Sequence, residues 1–127
     1  MGSCVTCTIN IRSHYSKYSD VNMPVAPADV RKIAREALEI RETLPKSRQA
    51  GTLVGLARAN QLAKGEDVSL QTLLRMRSYL LRARENYRNA KSQGKTAENS
   101  KAIQAYMLWG STPGLRWAQR QITKLTN

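Results

Sequence analysis

SLQTLLRMRSYLLRARENYRNAK, residues Ser69 to Lys91, decides how this chain is read. Leu73, Met76, Leu80, Ala83, Tyr87 and Ala90 recur at steps of three and four, with Leu70, Leu74 and Leu81 beside them. That is the period of a helix with one buried stripe, here about six turns long. Ser69 stands where a side-chain oxygen accepts from the unpaired first-turn N–H groups, and Gly94 lies just past the far end, so both boundaries are marked locally. The other side carries Arg75, Arg77, Arg82, Arg84, Arg88 and Lys91 against one acid, Glu85, which predicts an almost purely cationic polar face. Such a face suits an anionic partner.

Upstream, Thr52 is placed to cap a helix from Leu53 to Lys64 that Gly65 closes, and Gly55 within it implies close packing. The short link GEDVS then predicts that this helix and the basic one form a tight hairpin or a helix-turn-helix-like pair. Insertion into a DNA major groove is the less favoured use. DNA-reading pairs usually carry a small residue about four before the turn glycine, whereas Ala63 stands two before Gly65. Further upstream, Pro27, Ala28 and Asp29 open a helix that runs through Leu44 and stops at Pro45, with Lys32/Glu36 and Arg35/Glu39 spaced as surface pairs.

Downstream, SQGKTAENS is a loop, and Lys101 to Trp109 reads as a helix burying Ile103, Tyr106 and Met107. Gly110 stops it, and Thr112-Pro113 has the form of a capping hydroxyl followed by proline at the first helical position. The last helix sets Leu115, Ala118, Ile122 and Leu125 at steps of three and four. Trp109 and Trp117 flank the turn and are expected to plug the core rather than to stack bases. The expected fold is therefore all-α, a small bundle of about five helices over 27–127 preceded by an extended arm over 1–26. Leu56, Leu73, Leu80, Met107, Leu115 and Ile122 are expected to be buried.

With 127 residues the chain suits one domain, large enough for a modest core without metal or disulfide support. It contains no Phe, so that core must be mainly aliphatic. Lysine and arginine number 21 against 9 acids, a net charge of +12 that points to nucleic acid, an acidic protein or an anionic surface. Half of that excess lies between Leu70 and Lys101, where Lys95 and Lys101 join the six cations above against Glu85 and Glu98. No apolar run approaches the roughly 20 residues of a membrane span, and no apolar signal segment opens the chain, so a soluble intracellular protein without a membrane partner is expected.

In the arm, Val5, Cys7, Ile9 and Ile11 alternate with polar residues as in a short strand, and the stretch beyond them to Pro24 is too polar to fold alone. Docking onto a neighbouring subunit is the expected use. Cys4 and Cys7 form a CxxC, but no helix N-terminus follows to lower a thiol pKa, and His14 and Asp20 do not complete a zinc spacing. Two small structural side chains are expected there, with a disulfide between subunits compatible with the pattern. The opening MGSCVT also matches an N-myristoylation pattern through Gly2 and Thr6, a match short enough to arise by chance.

AREALEIRETLPKSRQAGTLVGLARANQLAKGEDVSLQTLLRMRSYL, then YMLWG, then GLRWAQRQI resemble a small module encoded in tailed-bacteriophage genomes, alone or beside head-maturation genes. Its pattern runs GTxVGxARARxLAxG, LSxxTxxRMxSYxxR and a closing LLWGGxxGxxWA. The resemblance covers about Leu38 to Gln121, two thirds of the chain. WGSTPG replaces the glycine-rich WGG turn, the linker before it is rewritten, and the arm has no counterpart. The resemblance implies a phage protein and carries over no catalytic or binding residue.

The single His lies in the arm and half of the helical domain's carboxylates lie on one charged helix, so no acid–base pair is legible and a non-enzymatic protein is expected, with no cofactor, metal or small-molecule substrate. The favoured expectation is a virion structural or assembly protein, made in the host cytoplasm and carried in the particle. It would dock on other virion subunits through the basic helix face and the arm. The alternative is a basic accessory protein that contacts DNA phosphates without sequence preference.

Overall fold

A computed structural model describes residues 23 to 126, and the readings made on the arm before Met23, including Cys4, Cys7 and Gly2, lie outside them. Five α-helices follow in order: α1 Ala28–Thr43, α2 Leu53–Lys64, α3 Leu70–Ser92, α4 Lys101–Leu108 and α5 Ser111–Thr126. A single 3₁₀ turn at Lys46–Arg48 lies between α1 and α2. Among the described residues there is no strand, only an isolated antiparallel bridge between Val25 and Asp67. The expected all-α bundle is the observed one.

Local chemistry sets most helix boundaries. Thr52 Oγ1 accepts from the Gly55 N–H at 3.1 Å, Ser69 Oγ from Thr72 at 3.2 Å, and Ser100 Oγ from Ile103 at 3.3 Å, so each begins its helix by satisfying a first-turn donor. Gly65 closes α2 in the left-handed conformation. The start of α5 departs from the expectation. The helix begins at Ser111, with the Gly114 N–H donating to the Gly110 carbonyl at 2.9 Å, and Thr112 does not cap it. Its hydroxyl is instead hydrogen-bonded at 3.1 Å to that of Tyr106.

Tyr106 sits at the centre of the core, fully buried and stacked on Tyr87 with ring centroids 4.2 Å apart. Around it pack Val30, Leu62, Val68, Leu73, Met76, Leu80 and Leu108, all buried. Leu115 and Ile122 are buried as expected, while Leu56 and Met107 are only half-buried. Leu56 lies at the edge of the buried arc of α2, which Gly55, Ala59 and Leu62 occupy, and Met107 straddles the main core and a smaller cluster of Ala90, Ala97 and Ile103.

The tight α2–α3 hairpin is not formed. α2 packs mainly on α1, and α3 packs mainly on α5 and α4, so the two helices diverge from the GEDVS link. The reason is that the buried side of α2 is narrow, and its remaining large apolar residues, Leu53 and Val54, face solvent at 86% and 50% exposure. The link is held from below: the Val68 N–H donates to the Pro24 carbonyl at 2.9 Å, Ala26 is buried in the core, and Arg31 Nη1 donates to its carbonyl at 2.9 Å.

The α1–α2 loop is fastened by a buried Gln104. Its Oε1 accepts from the Ala50 N–H at 3.0 Å and its Nε2 donates to the Arg48 carbonyl at 2.8 Å. Replacing Gln104 with Leu keeps the volume and orphans a buried N–H, so we expect a loss of about 1–3 kcal/mol in urea unfolding, with the Ala50 amide exchanging faster. Unchanged stability would show that the loop is held by its other bonds, from Arg41 Nε to the Ala50 carbonyl at 2.8 Å and from Gln49 Nε2 to the Arg41 and Leu44 carbonyls at 3.0 and 3.1 Å.

Candidate anion-binding surfaces

Along α3 each residue advances by about 100°. Leu73, Met76, Leu80 and Ala90 take the buried arc, with Ala83 and Tyr87 half-buried beside them. The cations then fall on two sides rather than one. Arg75 and Arg82, seven residues apart, share one flank; Arg77, Arg84, Arg88 and Lys91, spaced by seven, four and three, share the other. Between the flanks, on the outermost ridge, stand Gln71, Ser78, Glu85 and Asn89, all exposed and none of them cationic. The single cationic face expected from composition is therefore corrected to two cationic edges with a neutral-to-acidic crest. The six positions alternate in phase: Arg75 and Arg77 are two residues apart and so about 200° apart around the helix.

The first flank is joined by an arginine that the sequence reading did not single out. Arg58 of α2 lies with its guanidinium carbon 5.6 Å from the centroid of the Trp109 ring, and its Nη1 donates to Gln61 Oε1. Gln61 Nε2 in turn donates to the Asp67 carbonyl at 2.7 Å, which ties the pair to the link before α3. Gly55, one turn earlier on α2, makes the approach of the ring possible, since a Cβ there would stand 3.3 Å from Trp109 Nε1. Burial, and then the charge of Arg75, lower the Arg58 pKa. Two arginines are thus held near one another, and Arg58 Nε is buried without a hydrogen-bond partner.

Tyr79, between Arg75 and Arg82 on α3, stacks on Trp109 with centroids 4.6 Å apart and planes 20° from parallel. Burial raises its phenol pKa against the opposing charge of Arg82. Gln71, Arg75, Ser78, Tyr79, Arg82 and Trp109 line an open cavity of about 370 Å³. A second, of about 670 Å³, lies between the Gln49–Thr52 loop and Lys101, Ala102 and Ala105 of α4, and is walled by the same Tyr79 and Trp109. Trp109 and Trp117 are both buried, as expected of core plugs, so the accessible ring belongs to half-buried Tyr79.

On the second flank the cations border an apolar residue, with Ser78 and Glu85 on its other side. Leu81, placed beside the buried stripe by periodicity, is 42% exposed. Arg77, Arg84 and Arg88 stand at four before, three after and seven after it, which is the helical neighbourhood of one surface patch. Lys91, in the last turn, also lies where the helix C-terminus favours positive charge.

The chain matches no protein-family model, and no curated protein or solved structure is significantly similar to it. Among the described residues no group of three or more His, Cys, Asp or Glu side chains is arranged to hold a metal ion, and no helix is long and apolar enough to cross a membrane. What these surfaces offer chemically is fixed positive charge, one exposed leucine and one partly accessible aromatic ring.

Proposed function

We propose that the chain is a non-enzymatic structural or assembly protein of a phage particle, docking onto an acidic surface of a neighbouring virion subunit. The observation that carries this reading is the exposed Leu81, bordered on one side by Arg77, Arg84 and Arg88. Protein interfaces favour an apolar contact enclosed by arginine, because the leucine gains by leaving water while the guanidinium groups bond bidentately to carboxylates at the rim. Residues that precede Met23 extend the contact to the neighbour in this reading.

Changing Arg77, Arg84 and Arg88 together to Gln is expected to abolish sedimentation of the chain with assembled particles, while its own unfolding free energy stays within about 1 kcal/mol of the parent, because Arg88 is exposed and Gln keeps part of the apolar stem of the half-buried Arg77 and Arg84. Particle incorporation that survives the triple change rules the docking surface out. A second reading, contact with nucleic-acid phosphates, is favoured by a separate observation, Arg75 and Arg82 lining an open cavity with Tyr79 and Trp109.

A further inference from the structure

We propose that the groove crossing the Tyr79–Trp109 pair holds a single-stranded nucleic acid, with a base against the open face of Tyr79 and phosphates between Arg58, Arg75 and Arg82. The proposal deepens the nucleic-acid reading and is independent of the Leu81 surface, which lies on the opposite flank of α3.

Three features converge on this ligand class. The first is charge without compensation: Arg75 and Arg82 line the cavity, Arg58 packs on the ring of the Trp109 that also lines it, and no carboxylate is among the lining residues. Burial, and next the charge of Arg75, hold the Arg58 pKa below its ordinary value, and an anion bound beside the two guanidinium groups offsets both. The second is the ring. Trp109 is covered on its faces by Tyr79 and Arg58, which leaves Tyr79, backed by the tryptophan, as a rigid platform whose position does not have to be organised on binding.

The third is continuity. The two cavities share Tyr79 and Trp109 as lining residues, and Lys101 is among those that line the second, so each of the two adjoining cavities carries positive charge beside the ring. A lone phosphate needs only the arginines. A chain of phosphates with unpaired bases uses both cavities, which is how proteins bind single strands without reading sequence. A duplex keeps its bases stacked inside and has no free base face to offer Tyr79.

The test uses the full chain and fluorescence anisotropy with a labelled deoxythymidine oligomer of about ten nucleotides, the same length as duplex, and inorganic phosphate as competitor. The oligomer is expected to bind more tightly than the duplex. Arg75→Gln with Arg82→Gln, both exposed positions, is expected to weaken oligomer binding at least about tenfold and to flatten the log–log salt slope by about 1.4, two single-strand phosphates. Arg77→Gln with Arg88→Gln removes the same charge from the other flank and is expected to change the affinity by less than about twofold. Tyr79→Leu keeps apolar bulk against Trp109, and its loss of one stacked base is expected to cost about tenfold in affinity.

Equal weakening by the two arginine pairs reduces the effect to net charge and overturns the groove. So does duplex binding as tight as oligomer binding, or no oligomer binding at all. Displacement of the oligomer by low-millimolar inorganic phosphate reveals an isolated phosphate site and overturns the strand. Should Tyr79→Leu melt early, the two arginine pairs decide the matter without it.

Discussion

Truncating Tyr106 to alanine is expected to lower the melting temperature by roughly 12–20 °C, from a loss of about 3–5 kcal/mol at about 4 °C per kcal/mol. The chain has no Phe, and Tyr106 is the largest of its fully buried side chains. Its ring faces Tyr87 of α3, and its hydroxyl reaches Thr112 at the start of α5. Removing it therefore opens a cavity where α3, α4 and α5 meet, and forfeits a stacked pair worth about 0.5–1.5 kcal/mol. Tyr106→Phe separates the two contributions. It keeps the ring and drops only the hydroxyl bond, so about 0.5–1.5 kcal/mol is expected. Calorimetry of the two variants checks the assignment, and an alanine variant as stable as the phenylalanine one would mean that the core does not depend on this ring.

Gly110→Ala is the second large effect expected, about 2–4 kcal/mol in urea unfolding. Gly110 has φ +102°, where an L side chain is strained by about 1–2 kcal/mol. Its Cβ would stand 3.0 Å from the Gly114 Cα and 3.1 Å from Val30 Cγ1. The first of these is backbone that cannot turn aside, so overpacking adds about 1–3 kcal/mol. The next residue gives the opposite sign. Ser111 has φ +58°, left-handed without being glycine. Ser111→Gly is expected to relieve strain and, after the entropy that a glycine adds to the unfolded chain, to stabilise by a few tenths of a kcal/mol up to about 1. The pair of variants moving in opposite directions tests the turn geometry independently of core packing.

The helices were legible because their determinants are local. Thr52, Ser69 and Ser100 cap within three residues of themselves, and Gly65 ends α2 by its own backbone conformation. The phase of α3 was equally readable, since Leu73, Met76 and Leu80 are buried where the period put them. What the period does not decide is how wide the buried arc is. α5 and α4 cover one side of α3 and leave Leu81 in solvent, and the same width divides the cations that composition groups together. Arg58 and Tyr79 went unremarked for a related reason. Their roles depend on Trp109, brought to them by the way α2, α3 and α4 cross, and no short-range pattern encodes that meeting. Pro113 misled because Thr112-Pro113 has the form of a helix start, while the backbone bond from Gly114 to Gly110 had already begun the helix.

The neutral crest of α3 has a thermodynamic consequence. Gln71, Ser78, Glu85 and Asn89 separate two cationic edges by about the 10 Å breadth of a helix, slightly more than the distance over which physiological salt screens a charge. Neutralising one edge therefore changes the potential at the other only slightly, and the coupling free energy between occupants of the two edges is close to zero. Each edge fills according to the concentration of its own partner, in either order, and the rigid helix between them fixes the distance at which the two are held.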